Sequence, residues 1–145
     1  MKIAGMVMGL VLGFAPMTVA AQDVKFGKGA FEANAKIDSI FTADGKTYEV
    51  SASGEAGPYG RAYLSYVFTD QQNMGNQGEF TGFAWTQKGD KEVTATLQGV
   101  YKKEGKVYRL YSLDNASNGK INVVSGTADF VAKTMTFKVS ELEVE

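Results

Sequence analysis

The sequence contains no cysteine and no histidine among its 145 residues. Without cysteine, no disulfide can stabilise the fold and no lipid can be attached to an N-terminal cysteine thiol. Without histidine, the Ser-His-Asp and Cys-His nucleophilic arrangements, histidine-based zinc sites and the usual general base near neutral pH are excluded. Catalysis would have to use carboxylates, tyrosine, lysine or backbone dipoles. The sequence therefore assigns no catalytic residue and no metal site, and we expect no cofactor.

Charge is nearly balanced. The 15 lysines and arginines face 16 aspartates and glutamates, which gives a formal net charge of −1. Nucleic-acid binding normally requires basic residues clustered on one face, and the sequence contains no such cluster. We predict no nucleic-acid partner.

The first residues have the composition of a secretory signal. Lys2 supplies a positive charge, residues 3–15 form an apolar run, and residues 16–21 end in small side chains. The run is too short to span a bilayer, which takes roughly 20 apolar residues. We predict a signal peptide over residues 1–21 and a single exported domain over residues 22–145, periplasmic or secreted, with no stable membrane insertion.

Apolar and polar residues alternate with a period of two along most of the remaining chain, as in half-buried strands. In the first segment Phe31, Ala33, Ala35, Ile37 and Phe41 share one parity. Short glycine or asparagine turns separate most of the segments, which indicates antiparallel hairpins. The pattern predicts eight strands: residues 31–41, 48–53, 61–69, 79–88, 92–102, 106–114, 120–130 and 134–144.

Eight sequential antiparallel strands have two natural packings. An up-and-down β-barrel removes exposed edges, and glycines within strands, Gly82, Gly99 and Gly126, suit its sharp bending. A two-sheet β-sandwich is the alternative. We predict an all-β fold, with the barrel favoured.

Three glycine-led segments carry a family resemblance: SGEAGPYGRAYLSYVFTD, GNQGEFTGFAWTQKGD and YKKEGKVYRLYSLDNASNGKINVVSGTADF. Their spacing resembles bacterial members of the allene oxide cyclase and dirigent barrel group. The resemblance covers roughly residues 31–139 and implies an eight-stranded antiparallel barrel around an apolar cavity. No catalytic residue of that group matches a position in this sequence.

The candidate ligand-binding residues combine aromatic rings with charge. Arg61 and Arg109 each precede a tyrosine by two positions, so guanidinium and phenol lie on one face of a strand and could grip a carboxylate. A surface ion pair or cation–π contact is the alternative. The candidate set is Arg61, Tyr63, Tyr66, Glu79, Trp85, Arg109 and Tyr111.

Strand parity decides which candidates can face a cavity. In the third predicted strand the apolar parity contains Tyr66, so Arg61 and Tyr63 are expected to point away from that layer. In the fourth, Phe83 and Trp85 lie outside if the face with Gly82 turns inward.

Three function classes remain open. The first is a barrel that binds a small hydrophobic or amphipathic ligand, which we favour because a catalytic signature is missing. The second is a cyclase or isomerase that uses a cavity carboxylate, such as Glu79, with a tyrosine. The third is a cell-surface interaction protein that uses outer aromatics such as Trp85. An outer-membrane barrel fits poorly, because charges interrupt many strands. The sequence leaves the oligomeric state open.

Overall fold

The computed structural model describes Gly13, residues 24–26 and residues 29–144. The predicted signal peptide, apart from Gly13, lies outside these residues. The described elements are one 3-10 turn, Gly57–Tyr59, and nine strands: β1 Val24–Phe26, β2 Phe31–Phe41, β3 Tyr48–Glu55, β4 Arg61–Thr69, β5 Gln77–Lys88, β6 Lys91–Glu104, β7 Val107–Ala116, β8 Ile121–Asp129 and β9 Thr134–Val144. None of the helical structure in this part of the chain is long and apolar enough to cross a membrane.

Strands β2 to β9 form a closed antiparallel barrel. Each strand pairs with the next along the chain, and β9 also pairs back to β2, where Phe31 lies opposite Val139. This second pairing of β9 removes both sheet edges, so the predicted eight-stranded barrel is confirmed and the sandwich is excluded. The sequence did not predict β1, which pairs with the end of β9 through Val24 and Val144.

Tight turns set the register of the central hairpins. Strands β5 and β6 are joined through Gly89, and β6 and β7 through Gly105. Both glycines have positive φ angles, 63° and 61°, as two-residue hairpin turns require. Because side chains alternate along each strand, these turns also decide which side chains enter the barrel.

A bulge in β2 corrects one expectation from the sequence. Ile37 lies opposite Ala52, but Ser39 lies opposite Ser51, so Asp38 is an extra residue in this ladder. Beyond the bulge the parity of β2 reverses. The prediction that Phe41 shares the face of Phe31 and Ile37 is therefore wrong: Phe41 is 60% exposed.

The two halves of the barrel interior are filled differently. Around Phe68, which is 1% exposed, aromatic side chains pack with ring centroids 5.5–5.9 Å away. We call this half the aromatic end; its rings are Tyr66, Phe68, Phe80, Tyr101, Tyr108 and Phe130. The opposite half, the alanine end, carries small inward side chains: Ala33, Ala35, Ala62, Ala84, Ala95 and Ala116.

Glycines within strands allow the wall to bend. A Cβ atom at Gly99 would overlap the carbonyl oxygen of Tyr111 on β7 and lie 2.9 Å from Cζ of Phe80. At Gly126 it would lie 2.6 Å from Cδ1 of Phe137. Only glycine fits these positions unless the neighbours shift, as expected for a small, sharply curved barrel.

Candidate ligand cavity

The alanine end contains a cavity of about 90 Å³. This is room for several water molecules or a small organic group. Its walls are mostly apolar, and the exposed residues Asn34 and Glu55 lie at its rim. The remaining lining includes the six alanines named above, together with Phe31, Leu64, Val93, Leu97, Val124, Phe137 and Val139.

Two buried polar side chains in this cavity lack a partner in the described residues. Tyr66 is 6% exposed and Asn122 is 8% exposed, and neither makes a side-chain hydrogen bond to residues 29–143. In the described part of the chain, every side-chain nitrogen or oxygen that solvent cannot reach has a hydrogen-bond partner. The polar atoms of Tyr66 and Asn122 therefore face the cavity.

Asp114 brings a carboxyl group to the same cavity. It lies on β7 between Leu97 of β6 and Asn122 of β8 in the strand register. Ser112 donates a hydrogen bond of 2.9 Å to its Oδ1 atom. Burial raises the pKa of Asp114 from 3.8 to about 6, against the opposing effect of the Ser112 hydrogen bond. The carboxyl group thus titrates close to neutral pH.

Tyr66 faces this carboxyl group from β4. Burial and, secondarily, the charge of Asp114 raise the pKa of the Tyr66 hydroxyl well above its usual value of 10. The side chain is therefore a neutral phenol, able to donate one hydrogen bond and to accept others. Thr86, another buried polar residue of the lining, already donates to the carbonyl oxygen of Val93 at 2.7 Å.

The 3-10 turn forms one side of the cavity mouth. The Tyr59 ring lies 5.7 Å from the Phe31 ring, and Nδ2 of Asn118 donates to the Tyr59 hydroxyl at 3.4 Å. Asn118 belongs to the β7–β8 turn, so two separate loops meet at the mouth. The sequence predicted a turn at Gly57-Pro-Tyr-Gly60, which is confirmed, but it did not predict that Tyr59 lines a cavity.

Of the seven predicted ligand-binding residues, Tyr66 alone faces the barrel interior. Arg61 and Tyr63 have exposed side chains on the outer face of β4, as the parity of that strand predicted. Arg61 pairs with Glu55 at 3.5 Å, and its guanidinium carbon lies 5.7 Å from the centre of the Tyr63 ring. The pair therefore lies outside the cavity. It makes the surface ion pair and cation–π contact that the sequence analysis gave as the alternative to ligand binding.

The other four candidates also lie on outward parities. Glu79 accepts a hydrogen bond of 3.2 Å from the backbone nitrogen of Gln71, in the β4–β5 loop. The Trp85 indole donates to Glu92, and Arg109 pairs with Glu104 at 2.9 Å.

Tyr111 lies in a broad open groove on the outer face of β6 to β9, beside Val100 and Leu113. Whether any of the six outward residues binds a ligand at the outer surface stays a prediction.

Sequence reasoning missed Asp114 and Asn122. On β7 the outward parity carries Tyr111 and Leu113, whereas the inward parity carries Ser112 and Asp114. Hydrophobicity alone therefore predicts the wrong inward face at this end of the strand. The available signal was hairpin register: a two-residue turn at Gly105 places Asp114 opposite Leu97, an inward residue.

No family model matches this chain, and neither a curated protein nor a solved structure matches it. The resemblance to the allene oxide cyclase and dirigent group therefore stays a prediction. What the fold and the site define is a closed eight-stranded barrel with an interior cavity and a partly buried carboxyl group. Among residues whose structure is described, no three acidic side chains cluster as metal ligands would.

Proposed function

We propose that the protein binds a small apolar or amphipathic molecule, with one polar group, in the cavity of the alanine end. The observation that carries this proposal is the presence of Tyr66 and Asn122, both more than nine-tenths buried and both facing apolar walls without a hydrogen-bond partner among the described residues. Ligand sites commonly combine apolar walls with a few placed polar groups.

The size of the cavity limits the buried part of the ligand. Pockets for drug-sized molecules measure roughly 300–1,000 Å³, whereas this cavity measures about 90 Å³. The cavity itself encloses about four non-hydrogen atoms of a ligand, and the rest of a larger molecule, such as the outer edge of a benzene ring, would extend past Tyr59. At about −1.5 kcal/mol per atom at best, four atoms supply about −6 kcal/mol, so the dissociation constant is tens of micromolar or weaker.

Nuclear magnetic resonance titration suits such affinities. Propanol, propylamine, propionate and benzene would be added to the protein while backbone amide shifts are recorded. We expect saturable shifts at amides of the alanine end, such as Ala84, Ala95 and Ala116, from at least one probe. Absence of saturable shifts at these amides with all four probes would contradict the proposal.

A matched pair of variants localises the binding. Ala84→Leu fills the cavity, because Ala84 points inward, whereas Ala132→Leu adds the same atoms at an exposed turn. We expect the first variant to lose the saturable shifts and the second to retain them. If Ala84→Leu does not fold, the wild-type shift map decides: saturable shifts confined to the outer groove would reject the cavity as the site.

A second candidate is proton-transfer catalysis, favoured by the carboxyl group of Asp114 beside the neutral phenol of Tyr66. A carboxylate of this kind can take a proton from carbon next to a ligand carbonyl while the phenol stabilises the enolate, and the proton can return at another carbon. Exchange of the α-hydrogens of butanone in D2O would reveal this chemistry. We expect Asp114→Asn to abolish any protein-dependent exchange, and no exchange above background with wild type would reject the candidate.

A further inference from the structure

The cavity holds a negative charge that has no positive partner in the described residues. Every lysine and arginine between residues 29 and 143 has an exposed side chain, and none of these residues pairs with Asp114. Glu55, at the rim, is already paired with Arg61. An ionised carboxylate among apolar walls is costly unless it is paired and hydrogen-bonded.

Three atoms around Asp114 are available to accept hydrogen bonds from a ligand. Ser112 donates to one carboxylate oxygen, and the other oxygen accepts no hydrogen bond from the described residues. The Asn122 amide oxygen and the Tyr66 hydroxyl oxygen add two further acceptors that face the cavity. A primary ammonium group has three N–H donors and no acceptor, so its donors match these three atoms.

We propose that the cavity selects a primary ammonium group on a short apolar chain, with the ammonium held by Asp114, Asn122 and Tyr66. The inference rests on the proposed ligand-binding function and names the chemical class of its ligand. The ammonium supplies the missing positive charge, and the alanine walls contact the chain.

Neutral and anionic end groups fit the same atoms less well. A hydroxyl group donates only one hydrogen bond and carries no charge, so it leaves the Asp114 carboxylate without a positive partner. A carboxylate end group would place a second negative charge beside Asp114, which is destabilising in a poorly solvated site. Among chains of equal length we therefore expect affinity to fall from amine to alcohol to acid.

Binding of the amine should weaken when Asp114 is protonated. The alkylammonium stays charged throughout because its pKa is about 10. Among the groups that face Asp114, β6 and β8 present Leu97 and Asn122, which do not titrate. From β4, Tyr66 stays neutral across the same range because its pKa is raised.

At the rim, on β3, Glu55 is exposed and ion-paired with Arg61. Since the pKa of Asp114 is about 6, roughly one molecule in ten keeps it ionised at pH 5. Affinity for the amine is then about tenfold lower at pH 5 than at pH 8.

The test compares propylammonium, propanol and propionate by amide shift titration of the full-length protein at pH 8 and pH 5. Asp114→Asn removes the charge but retains the shape. Glu49→Gln removes one negative charge from an exposed position on β3 and serves as the matched control. We expect wild type to bind propylammonium at pH 8 at least tenfold more tightly than propanol. Asp114→Asn should lose that advantage, and Glu49→Gln should stay within twofold of wild type.

Two further outcomes separate this inference from the proposed function. If propanol binds at the cavity amides as tightly as propylammonium, with Asp114→Asn unchanged, the ligand class is wrong while the cavity remains a binding site. If none of the three probes shifts the cavity amides, the ligand class is likewise rejected, and the proposed function then depends on benzene alone. Equal loss of amine binding in Glu49→Gln and Asp114→Asn would show a general charge effect and also reject the ammonium site.

Discussion

At the scale of single residues, Asp114 makes stability depend on pH. Its pKa is higher in the folded barrel, about 6, than the ordinary value of 3.8, so the folded state binds more protons between these values. Folding is therefore disfavoured as pH rises through that window, and the loss is nearly complete about one unit above the folded pKa. A difference of roughly two pKa units corresponds to about 3 kcal/mol as an upper bound.

Asp114→Asn is expected to stabilise the protein at pH 7 by about 1–3 kcal/mol, because the amide keeps the shape without a partly buried charge. Urea unfolding of both proteins between pH 4 and pH 8 measures this difference. The two should converge near pH 4, where Asp114 is mostly protonated. A gap that stays constant over the whole range, or that widens toward pH 4, would contradict the assigned titration.

Other carboxyl groups do not disturb that comparison. Hydrogen bonds from backbone amides lower the pKa values of Asp44, Asp70 and Asp129, so their contributions are lost only at more acidic pH. They are present in both proteins and cancel in the difference between wild type and variant.

The sequence predicted one residue that lines the cavity, Tyr66, and missed the charged one, Asp114. Tyr66 was found because it shares an apolar parity with Phe68, and that parity faces inward. Asp114 was missed because the inward parity of β7 becomes polar beyond Leu110 while Tyr111 and Leu113 point outward. The burial of a polar residue depends on the pairing of its strand, which local hydrophobicity does not report.

At the scale of single strands, the glycines of the barrel wall determine how closely neighbouring strands approach. Gly99→Ala would force the added methyl group against the Tyr111 carbonyl and the Phe80 ring. Because the first obstacle is backbone, we expect the free energy of unfolding to fall by about 2–3 kcal/mol. Chemical denaturation monitored by circular dichroism provides the measurement.

Thr96→Ala on the same strand is the control, since Thr96 is exposed and points outward. It should lower the free energy of unfolding by no more than about 1 kcal/mol, the usual span of strand preferences. Equal losses in the two variants would mean that curvature at Gly99 contributes nothing beyond strand preference.

The strands themselves were well predicted, and their irregularities were not. All eight barrel strands follow from alternation bounded by turn residues, because one face of each is buried. The reversal in β2 escaped prediction because Asp38 and Ser39 are both polar, so either can be read as the residue between two apolar ones. Strand β1 was missed because three residues are too few to show a period.

At the scale of the whole molecule, the two ends of the barrel differ in packing. The aromatic end is filled by rings around Phe68, whereas small side chains at the alanine end leave a cavity. Local opening requires less free energy where fewer apolar contacts are lost. We expect hydrogen exchange at the amides of Ala62, Ala84 and Ala116 to be at least tenfold faster than at Phe68 and Leu110.

Native-state exchange measured by nuclear magnetic resonance gives this comparison. A saturating cavity ligand should slow exchange at the alanine end and leave the aromatic end nearly unchanged. Uniform exchange across both ends would show that the barrel opens only as a single unit, in contradiction to the prediction.

Closure of the barrel could not be derived from alternation. The same eight strands can form a sandwich, and the difference lies in the pairing of β2 with β9, two strands about a hundred residues apart in the chain. Period-two patterns report which face of a strand is buried, but not which distant strand completes the sheet. Interior glycines favoured the barrel because only a closed, small sheet requires such sharp bending.

The double role of β9 has a consequence for biosynthesis. Strands β2 to β8 leave the ribosome before β9, yet β2 and β8 each lack a neighbour until residues 134–141 have been made. The nascent chain therefore carries two unpaired strand edges through most of its synthesis, and such edges are sites of intermolecular pairing. Until β9 emerges, the chain depends on its surroundings to keep those edges apart from other chains.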